Sequence, residues 1–166
     1  VSLFDEMEEK SRAWDFHAAL RIGSSITAGS MMLPGMIRRF QDEYPDVKVY
    51  ASVKNTDAIE AALINNALDF AIVEGDIANP QLVQTPLREG RLAVMAAPSH
   101  RLAQSGELTM PELAAADLLL REDGSAGRSI IENIWKSAGF SVNPLWESVS
   151  NQALIKAAES GLGVSI

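Results

Sequence analysis

The sequence contains no cysteine and only two histidines, His17 and His100. Without thiols it cannot form disulfides, thiolate nucleophiles or sulfur-ligated zinc sites. Neither histidine belongs to a recognisable serine, histidine and carboxylate triad, and a first-row metal site would depend mainly on carboxylates. The sequence also lacks a GxGxxG turn and a phosphate-loop lysine motif. We therefore expect no catalysis, no metal and no cofactor, and a small α/β enzyme is the least favoured alternative.

Basic residues and long apolar runs are scarce as well. The 14 Lys and Arg residues are outnumbered by 22 Asp and Glu residues, which gives a formal net charge of −8. Such a surface opposes phosphate binding, so contact with DNA would need another segment. No apolar run approaches the ~20 residues that span a bilayer, and the N-terminus carries no export signal. These absences predict a cytoplasmic protein that does not contact membranes.

The composition is otherwise that of an ordinary globular protein. Its 166 residues, 47% of them hydrophobic, suit one domain or two small lobes. Residues 1–19 form an acidic leader whose apolar residues have a helix-compatible spacing. The leader is either the remnant of a dimerising linker helix or a solvated lead-in.

From residue 20 onward, strand and helix patterns alternate, and this order predicts parallel strand pairing. The first unit is predicted as strand 20–25, helix 30–44, strand 47–53, helix 56–66, strand 69–75, an edge strand at 82–85 and a stronger strand at 91–97. After a crossing at 97–100, the second unit is predicted as a helix from 109, strand 117–122, helix 129–140, strand 145–150, helix 153–160 and strand 164–166. We therefore predict an α/β fold of two Rossmann-like lobes, residues 20–97 and 98–166, with a cleft between them.

Polar residues follow two strands of the first lobe. Ser24, Ser25 and Thr27 lie where the first strand meets a helix start, so their hydroxyls and the free backbone N–H groups suit a carboxylate or inorganic anion. Asn55 and Thr56 end the second strand and can donate to the same ligand, because ligands gather at the carboxyl ends of parallel strands. Helix capping is the alternative role for each group.

The second lobe offers a cation to the same ligand. Arg121 ends a buried strand and Ser125 opens a helix, so closure of the lobes would bring both to the cleft. Arg121 could instead pair with Glu122 or Asp123. Glu74, at the end of the third strand, would repel an anion. Either it pairs with Arg121 across the cleft, or the ligand also carries a positive or hydroxyl group, as an amino acid does.

Six segments in this order resemble the effector-binding, or substrate-binding, domain of LysR-type transcriptional regulators. They are LRIGSS, LPGMIRRFQDEYPDV, NTDAIEAALINNALDFAIVEG, APSHRLA, LLLREDGSAGR and ALIKAAESGLGVSI, within residues 20–166. The resemblance implies a two-lobed fold of the type II periplasmic-binding-protein kind, with a small effector in the cleft. It further implies a homodimer, or a tetramer in the full-length protein, and DNA contact only through an N-terminal domain that this sequence lacks.

Two departures from the family pattern affect these expectations. The family returns from the second lobe to finish the first, whereas this chain stops at Ile166, so both lobes are expected to be incomplete. A loop that often reads glycine, serine, glycine, threonine, arginine is Gly-Ser-Ala-Gly-Arg here, at residues 124–128, and lacks one hydroxyl. We predict a ligand-sensing domain that changes oligomer geometry to control transcription, with a solute-binding protein of a transport system as the alternative.

Overall fold

The computed structural model describes residues 19–77 and 79–166, so the prediction for the leader lies outside the described residues. The first lobe contains β1 Ala19–Ser24, α1 Ile26–Met31, α2 Leu33–Glu43, β2 Lys48–Val53, α3 Thr56–Ile64 and β3 Phe70–Ile72. The second contains a 3-10 helix Arg101–Gln104, α4 Met110–Ala114, β4 Leu118–Arg121, α5 Ala126–Ser137, β5 Trp146–Ser148, α6 Asn151–Glu159 and β6 Val164–Ser165.

Each lobe is built around one three-stranded parallel sheet. The strand orders are β2-β1-β3 in the first lobe and β5-β4-β6 in the second. In both sheets the strand that comes first in the chain is central, so its carboxyl end lies between those of its two neighbours. The predicted α/β fold with parallel pairing is confirmed.

Helix α1 is the main departure from the predicted first unit. A single helix was expected at residues 30–44, whereas the chain becomes helical at Ile26, breaks at Met32 and continues in α2. The small residues of α1 carry no apolar stripe, so the predicted helical range begins only at residue 30, although a helix start was expected near Ser25 and Thr27. Gly29 lets α1 lie close to the end of β2, since an added Cβ would come within 2.8 Å of both Val53 methyl carbons. Pro34 lies in the first turn of α2, where its missing N–H removes no helical hydrogen bond.

A hydrophobic core in each lobe packs its helices against its sheet. All four residues of β4 are buried, and Leu120 packs with Ile131 and Trp135 of α5. In the first lobe the core is smaller and centres on Ile22, Leu33 and two further residues. Burying one large apolar side chain contributes about 1.5–3 kcal/mol. The contacts between helices and sheet therefore stabilise each lobe and hold the strand ends that face the other lobe in position.

Two predicted strands in residues 82–97 are wrong. Residues 82–85 form no strand, and within 91–97 only Met95 pairs, in an antiparallel bridge with Ser165. Their backbone groups exchange hydrogen bonds of 2.7 and 2.9 Å. Val83 is 98% exposed and Val94 41%, so neither of these apolar side chains belongs to a core. An apolar pattern predicts a strand only where a neighbouring strand is available to pair with it.

Several other predicted elements differ at their ends. β3 stops at Ile72 instead of residue 75, β5 covers only Trp146–Ser148, and α5 starts at Ala126, three residues before the expected start. β3 stops early because the chain bends at Gly75, whose φ is 74°. No helix in the described part of the chain is long and apolar enough to cross a membrane.

Candidate functional site

The carboxyl ends of the two sheets meet where the sequence predicted a ligand site. Three hydrogen bonds join the lobes there: Asn151 Nδ2 to Thr27 Oγ1 (3.0 Å), Asp57 N to Gly124 O (3.2 Å) and Asn55 Nδ2 to Asp123 O (3.4 Å). Two of the predicted residues, Thr27 and Asn55, thus contact the second lobe directly.

Two glycines allow this close approach of the lobes. Gly124 has a φ of 81°, and an added Cβ would lie 3.0 Å from Asn55 Nδ2. Gly75 has a φ of 74°, and its added Cβ would lie 3.1 Å from the Ala126 Cβ. Any larger residue would be strained in conformation and would push against the opposite lobe.

Ser24 and Ser25 end β1 with different roles. Ser24 is fully buried, and its hydroxyl donates to the Ile72 carbonyl at 2.9 Å, which ties β1 to β3. The Ser25 N–H donates to the same carbonyl at 3.0 Å. Ser25 is the N-cap residue of α1, but its hydroxyl donates to Glu74 Oε2 at 3.4 Å rather than capping the helix. Ser24 therefore supports the site, while Ser25 and the exposed Glu74 lie side by side.

The end of β2 combines a helix cap with a buried hydroxyl. Asn55 caps α3, because its Oδ1 accepts from the Ala58 N–H at 3.1 Å. Its amide nitrogen is the group that reaches the other lobe. Thr56 is 8% exposed, and its hydroxyl has no hydrogen-bond partner among residues 19–77 and 79–166.

Arg121 is held inside the second lobe. Its guanidinium donates to both Glu122 carboxylate oxygens, at 2.8 and 3.0 Å, and to Asn151 Oδ1 at 2.9 Å. Arg121 and Glu122 are 7% and 9% exposed. Of the predicted alternatives, pairing with Glu122 is the one present, and the pairing with Glu74 is absent from the described ion pairs. Such a bidentate pair leaves little net charge on this wall of the cleft.

Ser125 lies beside this pair as the N-cap residue of α5. It is 5% exposed, and its side chain makes no cap hydrogen bond. Its backbone N–H donates to the Glu122 carbonyl at 3.2 Å. The hydroxyl therefore stays available at the start of α5, while the backbone amide is already used.

Two residues of this network were missed by sequence reasoning. Arg128 is buried, donates to the Arg121 carbonyl at 3.1 Å and pairs with Glu132 at 2.6 Å, so it fixes the end of β4. The i,i+4 spacing of Arg128 and Glu132 on one helix was the available signal. Asn151 is not among the predicted site residues, and it directly follows Ser150, which caps α6 by accepting from the Ala153 N–H at 3.2 Å.

The donor set of the site is made of hydroxyl, amide and guanidinium groups. No group of three or more His, Asp or Glu side chains that could hold a metal ion occurs in the ranges described. The arrangement suits a ligand held by hydrogen bonds and charge rather than one bound through a metal.

Two lobes with parallel sheets whose carboxyl ends meet define a ligand-binding domain with the type II periplasmic-binding-protein fold. The family model described as LysR substrate binding domain matches residues 15–166. The chain belongs to this family, the ligand-binding domain of LysR-type transcriptional regulators, and not to an enzyme family.

Individual relatives agree with this assignment. The uncharacterized HTH-type transcriptional regulator YeiE of Escherichia coli K12 is 33% identical over 149 residues, which cover 90% of this chain and 50% of YeiE. The HTH-type transcriptional regulator CysB of Haemophilus influenzae is 33% identical over 151 residues, covering 90% of this chain and 47% of CysB. This chain thus spans about half the length of the curated relatives it matches.

A solved structure supports the fold. The effector-binding domain of QuiR in complex with shikimate superimposes with a TM-score of 0.79, covers 90% of this chain and 72% of that chain, and is 20% identical. At this identity the likeness establishes the fold alone.

Proposed function

We propose that this domain senses a small polar or anionic effector in the cleft between its lobes and changes the dimer or tetramer geometry of a transcriptional regulator. The observation that carries the proposal is the meeting of hydroxyl and amide groups from both lobes at the carboxyl ends of the two sheets. DNA would be bound by another segment of the full-length protein, since this chain is strongly acidic, and a regulator of this kind would act in the cytoplasm.

The proposed ligand contacts come from four hydroxyl-bearing residues and the charged groups near them. Ser25, Thr27, Thr56 and Ser125 supply hydroxyls, and Ser24 holds Ser25 in place through β3. Three hydrogen bonds to a charged ligand contribute a gross ~5–9 kcal/mol, before the cost of ordering is subtracted. The expected affinity is therefore millimolar to micromolar.

Glu74 restricts the ligand's chemistry. It is exposed beside Ser25 and is not paired with Arg121, so it would repel a purely anionic group placed against it. An amino-acid-like effector would satisfy both groups, because its carboxylate would take the hydroxyl donors and its ammonium would face Glu74. A simple carboxylate would have to bind on the Thr27 side of Ser25.

Signalling requires the effector to prefer one arrangement of lobes or subunits, since equal affinity for two states shifts neither. Met31 is 80% exposed at the end of α1, and the half-buried Met36 and exposed Arg39 follow on α2. We propose this surface, with the region near Leu63, as the dimer contact. Sedimentation with and without the leader tests it, and a monomer in both cases would remove the dimer proposal.

Ligand screening tests the sensor proposal directly. Small acids including shikimate, amino acids and inorganic anions would be screened by thermal shift, and each hit repeated with Ser25→Ala and Thr27→Ala. The matched control is Ser30→Ala, which removes an exposed α1 hydroxyl that only donates to its own helix at Ile26 O. We expect both site variants to lose the stabilisation and the control to keep it. A hit that survives both changes would place the pocket elsewhere.

A further inference from the structure

Asn151 connects the buried cation of the second lobe to a hydroxyl of the first. We infer that Arg121 and Asn151 set the hydrogen-bond direction of Thr27, so that its hydroxyl is a donor to an acceptor atom of the ligand when the lobes meet. This inference rests on the proposed ligand site and assigns the chemistry that the site selects. Asn151 is then a positioning residue that acts through Thr27.

The direction of each bond follows from the groups involved. A guanidinium has donors and no acceptor, so the Asn151 atom that lies 2.9 Å from Arg121 Nη1 has to be the carbonyl oxygen. The amide nitrogen of Asn151 is consequently the atom that lies 3.0 Å from Thr27 Oγ1. That nitrogen can only donate, so the Thr27 oxygen accepts.

The proton of the Thr27 hydroxyl is therefore left for another partner. Within residues 19–77 and 79–166 it donates to no protein acceptor. A ligand atom that meets Thr27 on its free side is favoured if it accepts a hydrogen bond, as carboxylate, sulfate and carbonyl oxygens do. An ammonium or amidinium group has only hydrogen-bond donors, so it cannot accept the hydrogen bond that the Thr27 hydroxyl offers.

The network is held firmly on the side of the second lobe. The Nε and Nη2 groups of Arg121 donate to the Glu122 carboxylate, and Arg128 Nη1 donates to the Arg121 carbonyl at 3.1 Å. Thr27 and Asn151 are 124 residues apart in the chain and belong to different lobes. The direction of the Thr27 hydroxyl is therefore set only while the lobes touch, which ties ligand selection to closure.

The contact is tested first without ligand. Urea unfolding midpoints would be measured for Thr27→Val, Asn151→Ala and the double variant, with Gln152→Ala as control because Gln152 is exposed on the same helix. We expect the double variant to lose less than the sum of the two single losses, because the second change removes a bond already broken. Additive losses would overturn the Thr27–Asn151 link.

The direction of the hydrogen bond between the Thr27 hydroxyl and the ligand is tested with two small planar ions of about the same size. Acetate is the acceptor and acetamidinium the donor, and each is titrated by thermal shift at constant ionic strength. We expect Asn151→Ala to weaken acetate binding about tenfold, because the ordered donor to a charged group is lost. Asn151→Asp places an acceptor against Thr27, so acetate binding should weaken further while acetamidinium binding strengthens. Gln152→Ala should bind both probes as the parent protein does.

Three results would overturn the assigned direction. The first is acetate binding unchanged in both Asn151 variants, and the second is equal weakening of both probes by Asn151→Asp, as a merely structural role would give. The third is a parent protein that binds acetamidinium in preference to acetate. If instead the parent binds no acid while the coupling in urea persists, the proposed anionic effector fails and the link between the lobes stands.

Discussion

Removing the Glu122 carboxylate should destabilise the protein far more than removing a surface carboxylate. Glu122 and Arg121 are 9% and 7% exposed, and two hydrogen bonds of 2.8 and 3.0 Å join them. Two unit charges about 4 Å apart interact by about 4 kcal/mol at an effective dielectric constant of about 20. Glu122→Ala would leave the guanidinium buried with Asn151 as its remaining side-chain partner. We expect a loss of about 3–5 kcal/mol in the free energy of unfolding, the usual cost of breaking a buried ion pair.

The matched control is Glu159→Ala. Glu159 pairs with Lys156 at 2.6 Å, but their side chains are 57% and 66% exposed. Exposed pairs of this kind contribute about 0–1 kcal/mol. Urea unfolding followed by circular dichroism gives both values, and tryptophan fluorescence gives a second measure, since Trp135 is 3% exposed in the core of the lobe that contains Glu122.

A third variant separates charge from burial. Replacing both partners with apolar residues, as in Arg121→Met with Glu122→Leu, should cost less than Glu122→Ala alone, because no charge is then left unpaired. If Glu122→Ala lowers the free energy of unfolding by no more than Glu159→Ala does, the pair is hydrated in solution. The claim that Arg121 is neutralised inside the second lobe would then be wrong.

Three further predictions concern the glycine at the lobe contact, an exposed ion pair and the core. Gly124→Ala should cost about 1–3 kcal/mol and lower the thermal midpoint, because φ is 81° and the new Cβ would press on Asn55; an unchanged midpoint would contradict the close approach. Arg21 lowers the pKa of Asp69 through their hydrogen bonds, so the pair stabilises the fold above the ordinary carboxyl pKa of 3.8 and this contribution is lost as the pH falls through the lowered value. The thermal midpoints of the parent and Asp69→Asn should therefore differ at neutral pH and converge in acid, and a constant difference would refute this. Leu120→Ala, at a side chain with 0% exposure, should cost about 2–5 kcal/mol in urea unfolding, and a smaller loss would mean that this core is loosely packed.

Elements with a strong local pattern were predictable from the sequence. The apolar run of β4 and the N-cap at Asn55 each depend on neighbouring residues alone, and the structure contains both. The strands expected at 82–85 and 91–97 depend on a partner strand that a local pattern does not reveal. Sheet pairing is a property of distant residues, so the local pattern predicted two strands there that the structure does not contain.

The same distinction applies to the site. The position of Ser25 and Thr27 at the end of a strand and the start of a helix could be predicted from the neighbouring residues, whereas their contact with a ligand stays a prediction. The role of Asn151 could not, because its contact with Thr27 joins residues 124 positions apart and depends on how the lobes lie against each other. Arg121 was correctly considered as a partner of Glu122, since adjacent opposite charges are visible in the sequence. The choice between Glu122 and Glu74 required the structure.

The energetics of the lobe contact bear on how such a sensor would respond. Three hydrogen bonds hold the ends of the sheets together, and each contributes a net ~0.5–1.5 kcal/mol. Their sum, about 1.5–4.5 kcal/mol, corresponds to separated lobes for less than about a tenth of the time, which would let a ligand enter. An effector that accepts a hydrogen bond from the Thr27 hydroxyl would add a bond to the closed arrangement without breaking the one to Asn151. Because that bond is absent when the lobes are apart, effector binding and closure favour each other.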